Sequence, residues 1–245
     1  MPPPVVLIHG FPLDSAMWYR QKTWLEGIGY TVLTPDLPGF GARPVLSAEA
    51  SSMTAFARNI ANLIRNAGGR AIVGGFSMGG YVLLALLEIH PEMVAAGIFL
   101  DTHAAADSAA VRQNRLIMAA TVEKTGMAPV ADAMIPKLLS STADPDMVLN
   151  LRRMILRQNP AGAAMAQHAM ASREDRRDML PRIQCPCLVV VGAQDVITPP
   201  AVMEQMAHGI PNSQFVIVPD AGHLSPLQSP DHVADLLAGF AATHG

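Results

Sequence analysis

The sequence predicts an α/β protein on a mostly parallel, doubly wound sheet, and three observations carry the prediction. Continuous apolar runs at 5–8, 94–100 and 187–191 have the composition of strands covered on both faces. Such runs alternate with helical periodicity over the first hundred residues, which implies parallel strands joined by right-handed crossovers. Between the run at 71–73 and a helical stretch at 81–88 lies Gly74-Gly75-Phe76-Ser77-Met78-Gly79-Gly80, a tight strand-to-helix turn carrying G-x-S-x-G.

The elements follow in order. The first strand, 5–8, runs into His9-Gly10-Phe11-Pro12, where a glycine lets the backbone pass close to whatever sits above the strand. His9 precedes the serine and sits at a strand end, so it is expected to shape its loop by hydrogen bonding. Residues 21–27 form a short helix and 30–34 the second strand. That strand ends at Asp36-Leu37-Pro38-Gly39-Phe40-Gly41, where Asp36 is expected to bond to local amides. Residues 54–65 are an amphipathic helix with Phe56, Ile60, Leu63 and Ile64 towards the sheet. The elbow strand and its helix come next, Pro91 stops the helix, and the strand at 94–100 ends in Asp101-Thr102-His103.

Residues 104–180 break the rhythm. They hold no strand pattern but four helical segments, at 108–125, 129–139, 146–158 and 161–172, with Pro136 placed to break the second. A strandless interval of this length exceeds an ordinary crossover and reads as a helical lid over the strand ends. The expected division is therefore a core of 1–103 and 181–245 with a lid of 104–180 inserted between sheet strands. The sheet resumes at 187–192, followed by Asp195, a helix at 201–207, a last strand at 215–218, the Gly222-His223 loop and a closing helix at 231–240.

Composition narrows the function. Half the residues are apolar and 15% are charged, as in a packed globular protein. Seventeen basic against twenty acidic residues, with no basic stripe, argue against nucleic acid as a partner. No apolar run is long enough to span a membrane, and the Met1-Pro2-Pro3-Pro4 start shows no signal-peptide pattern, so a cytoplasmic protein is expected. Cys185 and Cys187, two apart within or beside a strand pattern, read as reduced thiols. No metal and no cofactor are expected, and the assembly is expected to be a monomer or homodimer.

The chemistry lies in the order of three residues. Ser77, Asp195 and His223 each follow a strand, as nucleophile, acid and base. The serine needs His223 within hydrogen-bond reach to lose its proton, and the histidine needs an acid to hold its tautomer. Asp195 is favoured for that acid; Asp101, also after a strand, stays open as the rival. A tetrahedral oxyanion needs two amides, and those of Phe11 and Met78 are the candidates. Trp18 is a candidate pocket residue, as are Met118 and Met154 among the lid methionines, because methionine adapts to irregular apolar shapes.

His9-Gly10-Phe11-Pro12, Asp36-Leu37-Pro38-Gly39-Phe40-Gly41, Gly75-Phe76-Ser77-Met78-Gly79-Gly80, Gly192-Ala193-Gln194-Asp195 and Gly222-His223, in that order, resemble the α/β-hydrolase superfamily. Within it the chain looks most like small carboxylesterases and 3-oxoadipate enol-lactonases, through His9-Gly10-Phe11-Pro12-Leu13-Asp14 and Trp18. The resemblance implies hydrolysis of an ester or lactone through an acyl-enzyme, without a cofactor. Relatives usually carry two strands before the His-Gly loop; here four residues precede Val5, so a sheet of about six strands is expected. The favoured substrates are carboxylic esters of small to medium size, with an enol-lactone or another lactone as the alternative and a non-enzymatic binding module as the alternative of another class. The loops that build the site lack cations apart from Arg43, so a charged lactone would need a lid arginine such as Arg115 or Arg152.

Overall fold

The computed structural model describes residues 2–45 and 51–244; Met1, residues 46–50 and Gly245 lie outside the described residues. Six strands, β1 (Val5–Ile8), β2 (Val32–Leu33), β3 (Ala71–Phe76), β4 (Val94–Leu100), β5 (Cys187–Gly192) and β6 (Ser213–Val218), form one sheet in the order β2-β1-β3-β4-β5-β6. Every pairing is parallel, so the expected mostly parallel sheet is wholly parallel. The inner strands β1, β3, β4 and β5 are buried along their whole length, which requires cover on both faces. Helix α1 (Tyr19–Gly27) packs on α10 (Pro230–His244), α2 (Met53–Asn66) on α3 (Met78–Ile89), and α8 (Pro200–Gly209) on β5 and β6.

Local chemistry explains the boundaries. The Ser52 hydroxyl caps α2 by accepting from the Ala55 amide at 3.0 Å, and Phe56, Ile60 and Ile64 form its buried stripe. The strand expected at 30–34 shrinks to Val32–Leu33, pairing only with Val5 and Val6, because the edge position meets Pro35, which has no N–H to donate. Helix α3 starts at Met78, earlier than the apolar periodicity at 81–88 indicates, with Gly79 and Gly80 in its first turn. A Cβ on Gly75 would strike the Gly79 carbonyl, and one on Gly79 would strike the Ile8 carbonyl. The glycines around the serine are therefore what lets α3 descend onto β3 and β1.

Between β4 and β5 the described chain is helical, with α4 (Ala109–Thr125), α5 (Ala128–Leu138), α6 (Pro145–Leu156) and α7 (Pro160–Ala171). Pro136 does not break α5; it falls in the last turn, and the helix ends at Leu138. Helices α4 and α7 pack against each other, as do α5 and α6. This group is moored to loops at the carboxyl ends of the strands. Arg157 donates to Asp14 at 2.9 and 2.8 Å, and Gln158 donates to the same carboxylate at 2.8 Å. The Leu224 amide donates to the Leu138 carbonyl at 2.9 Å. Gly162 of α7 lies against Gly39 so closely that a Cβ on either would run into the other's backbone.

Candidate active site

Strand order reverses between β1 and β3. The chain leaves β1 towards β2 on one side, whereas β4, β5 and β6 lie on the other. Loops at such a point diverge and leave a crevice at the carboxyl ends of the strands, where ligands of open α/β sheets bind. Ile8 pairs with Gly75 across this boundary, so the Gly10-Phe11 loop and the Ser77 turn sit side by side.

Ser77 adopts φ 51° and ψ −113°, a backbone that side-chain-bearing residues rarely take. Hydrogen bonds from both sides of the turn hold it there. Its amide donates to the Leu100 carbonyl at 2.9 Å, and the Thr102 hydroxyl donates to the Ser77 carbonyl at 2.8 Å. The serine is only part-buried, and its Oγ lies 2.9 Å from His223 Nε2. His223 Nδ1 lies 2.8 Å from Asp195 Oδ2. An ionised carboxylate only accepts, so Nδ1 carries the hydrogen and Nε2 is free to accept from Ser77. Asp195 also accepts from the Ile197 amide at 2.7 Å, the Thr198 amide at 2.9 Å and the Thr198 hydroxyl at 2.6 Å. Burial pushes its carboxyl up, but the His223 and Thr198 interactions outweigh burial and hold it below the usual carboxylate range. His223 is seated by Gln228 of the short helix α9 (Ser225–Gln228), which accepts from the Gly222 amide at 2.9 Å, and by the Phe76 ring, 5.2 Å from the imidazole centroid.

The chain matches the family model described as "alpha/beta hydrolase fold" over residues 3–230. It belongs to the α/β-hydrolase fold family. It is similar to a thermophilic esterase from Thermogutta terrifontis, solved with malate bound, at 40% identity and a TM-score of 0.95 over 99% of this chain and 90% of that one. An enol-lactonase from Burkholderia xenovorans LB400 is 25% identical, with a TM-score of 0.90, over 99% of this chain and 92% of that one. A protein of Mycobacterium tuberculosis, named provisionally as a non-heme bromoperoxidase, is 26% identical over 98% of this chain and 94% of its own length.

Within this hydrolase fold, Asp195 is the acid hydrogen-bonded to His223. The rival, Asp101, is fully buried and accepts from the Gly192 amide at 2.8 Å and meets the Ser225 hydroxyl at 2.5 Å. Burial, reinforced by the Asp195 charge, holds its carboxyl well above the ordinary range. The Met78 amide opens α3, where first-turn N–H groups have no intrahelical acceptor. Neither it nor the Phe11 amide is taken up by a turn or loop hydrogen bond among the described residues. His9 is buried, sits against the Gly10 carbonyl at 3.0 Å and accepts from the Leu37 amide at 2.9 Å, tying the loop after β1 to the loop after β2. Asp36 accepts from the Ser15 and Ala42 amides at 2.8 and 3.1 Å.

The pocket candidates separate. Trp18 is fully buried, edge-on to Phe76 with centroids 6.5 Å apart, so its ring belongs to the core rather than to a pocket wall. Met118 is half-buried on α4. Met154 lines an apolar hollow of about 350 Å³ with Leu139, Met147, Leu151 and Leu227. A larger hollow, about 720 Å³, runs between α5 and the loop after β5 and reaches Asp195. Another, about 780 Å³, opens at the amino ends of β4 and β5 beside Arg70 and Cys185, far along the strands from Ser77.

Arg115, Arg152 and Arg173 are engaged. Arg115 pairs with Asp107 at 2.5 Å, Arg173 shares that carboxylate at 2.6 Å, and exposed Arg152 pairs with Asp132 at 2.6 Å. The Arg173 guanidinium lies 4.2 Å above the Tyr81 ring and 3.3 Å from His103. Burial, then Arg173, lowers the His103 imidazole to about 4. Thr102, Thr198, Ser225 and Gln228 were not anticipated as site residues. Only Thr198 leaves a local signal, since an aspartate followed by threonine three residues on is a common side-chain turn pattern.

Proposed function

We propose that this chain is a serine hydrolase that cleaves carboxylic esters of small to medium size through an acyl-enzyme. The observation that carries the reading is the relay of 2.9 Å from Ser77 Oγ to His223 Nε2 and 2.8 Å from His223 Nδ1 to Asp195, with the serine on a strained turn. Ser77 attacks the ester carbonyl while Nε2 takes its proton. Asp195 stabilises the resulting imidazolium, which then gives the proton to the departing alcohol. Water repeats the sequence on the acyl-enzyme and regenerates Ser77. The Phe11 and Met78 amides stabilise the oxyanion in both halves. No step calls for a metal or cofactor.

In this reading residues 104–180 are a lid on a core of 1–103 and 181–245, and Met118 and Met154 are the lid methionines nearest to consider for the acyl chain. A pocket of this kind rewards each buried methylene by about 0.8 kcal/mol until it is full. The second reading, an enol-lactonase, is favoured by the Burkholderia relative and by Arg115 and Arg173, two cations set against one Asp107 carboxylate. The free thiols suit a reducing compartment, so we place the protein in the cytoplasm.

One panel tests the reading. The catalytic efficiencies for p-nitrophenyl esters of increasing chain length, simple lactones and 3-oxoadipate enol-lactone are compared on the same enzyme. The ester reading expects kcat/KM to rise from acetyl to about butyl or hexyl and then fall, with the enol-lactone poorer. A large preference for the enol-lactone would replace it with the second reading and direct attention to Arg115. No turnover of any member would favour a binding module.

A further inference from the structure

Two buried carboxyl groups stand behind the histidine where the proposed reaction uses one. The ligand atoms of Asp101, Asp195 and His223 all lie within 4.8 Å of one another, and the three residues are 0%, 3% and 1% exposed. The charged or titratable groups that act on the pair are each other and His223. His103 faces His223 from the loop after β4, with Arg173, Arg115 and Asp107 beyond it. No arginine or lysine is bonded to either carboxyl among the described residues. Two carboxylates this close in a buried site do not both ionise, because desolvation and like-charge repulsion oppose the second charge together.

We propose that Asp101 and Asp195 form a carboxyl pair holding one proton, with the proton on Asp101 and the negative charge on Asp195. Hydrogen-bond donors decide the assignment. Asp195 receives donors from the Ile197 and Thr198 amides, the Thr198 hydroxyl and His223. Asp101 receives the Gly192 amide on Oδ1 and, besides the contact between its side chain and that of Asp195, meets the Ser225 hydroxyl at Oδ2. That hydroxyl accepts as readily as it donates, so a proton on Oδ2 has a partner. The spacing of the cluster would also suit a cation, but His223 Nδ1 already holds its hydrogen towards Asp195, and Nε2 faces Ser77. A proton, not a metal ion, completes the group.

The pairing has a consequence for the base. A second full negative charge behind His223 would favour the imidazolium, which cannot take the Ser77 proton. Asp101 acts through Asp195 and is a positioning residue: its proton keeps the acid side of the relay at one charge. The inference uses the serine-hydrolase reading for this consequence alone; the pair itself is testable without turnover.

The test is isotope-edited infrared spectroscopy of protein carrying carbon-13 aspartate, at about pH 8, where ordinary aspartates are ionised. The parent and Ser77→Ala should both show an un-ionised carboxyl band, which Asp101→Asn removes. In a pH titration of the same band, Asp195→Asn should lose it at lower pH than the parent, because Asp101 then loses the like charge while its burial remains. That shift separates proton sharing from burial alone. In activity, Asp101→Asn swaps one neutral donor for another and should lower kcat/KM by less than about fivefold, against about 10⁴ for Asp195→Asn. A neutral buried acid binds its proton more tightly folded than unfolded, so it costs stability progressively as pH rises above the unfolded value. Asp101→Asn should therefore gain thermal stability relative to the parent between about pH 5 and pH 8. Absence of the band in the parent, its survival in Asp101→Asn, an unshifted titration in Asp195→Asn, or a loss of activity in folded Asp101→Asn matching that of Asp195→Asn would overturn the pair. Loss of esterase activity altogether, with the band behaving as stated, would count against the hydrolase reading instead.

Discussion

Replacing Ser77 by glycine should give a more stable protein than replacing it by alanine. Both substitutions delete the Oγ and its 2.9 Å contact with His223, so that loss cancels in the comparison. What remains is the backbone. At φ 51° and ψ −113° a residue with a Cβ is strained by about 1–3 kcal/mol, and glycine is not. Against this, glycine has more unfolded freedom to lose, about 0.5–1 kcal/mol. The difference is about 1 kcal/mol in favour of glycine, which for a chain of this length raises the melting temperature by roughly 2–4 °C. Thermal melts of Ser77→Gly and Ser77→Ala in one buffer measure it directly. A glycine variant melting at or below the alanine variant would refute the idea that the elbow stores strain, and with it the view that the Leu100 and Thr102 bonds hold Ser77 against its preference.

Two more expectations come from the groups around the relay. His103 has a folded value of about 4 against 6.5 unfolded, so the unfolded chain binds the proton first, and stability is full above about pH 6.5 and is lost as pH falls towards 4. The shift corresponds to about 3 kcal/mol, reduced to about 2 by the group's partial exposure. Urea melts at about pH 7.5 and 4.5 should show a smaller acid loss in His103→Gln than in the parent; equal losses would mean that His103 is not the proton sink. Thr198→Val deletes the hydroxyl that donates to Asp195 at 2.6 Å and should lower kcat about tenfold with KM little changed. A variant that instead raises KM at constant kcat would place Thr198 in substrate binding.

The parts legible in the sequence are those whose cause is local. Gly75 and Gly79 announce the elbow because the turn itself has no room for side chains, and Asp195 and His223 announce themselves by following apolar strand runs. Helices α6 and α7 begin at Asp144-Pro145 and Asn159-Pro160, a local pattern in which the Asp144 and Asn159 side chains cap the first turn. What stayed hidden depends on chain segments far apart. Asp101 and Asp195 both follow strands, and only the fold shows that the Nδ1 edge of His223 meets Asp195. Trp18, beside the His-Gly loop in sequence, turns its ring inward onto Phe76, a contact that no periodicity encodes. Ser225 approaches Asp101, and Gln228 reaches both Gly222 and Ser140, across loops whose meeting is set by the whole sheet. Helix α3 begins ahead of its apolar pattern because packing, of Gly79 against β1 and of Gly80 against Thr102, rather than helix propensity, decides the conformation of the two glycines.

The most direct test of the relay is covalent labelling. The protein is treated with a fluorophosphonate, digested, and mapped by mass spectrometry, alongside Ser77→Ala and His223→Ala. A single adduct is expected on the peptide carrying Ser77, absent in Ser77→Ala and formed far more slowly in His223→Ala, where the base that takes the serine proton is missing. An adduct on another residue, or labelling of Ser77 at the same rate without His223, would contradict the relay.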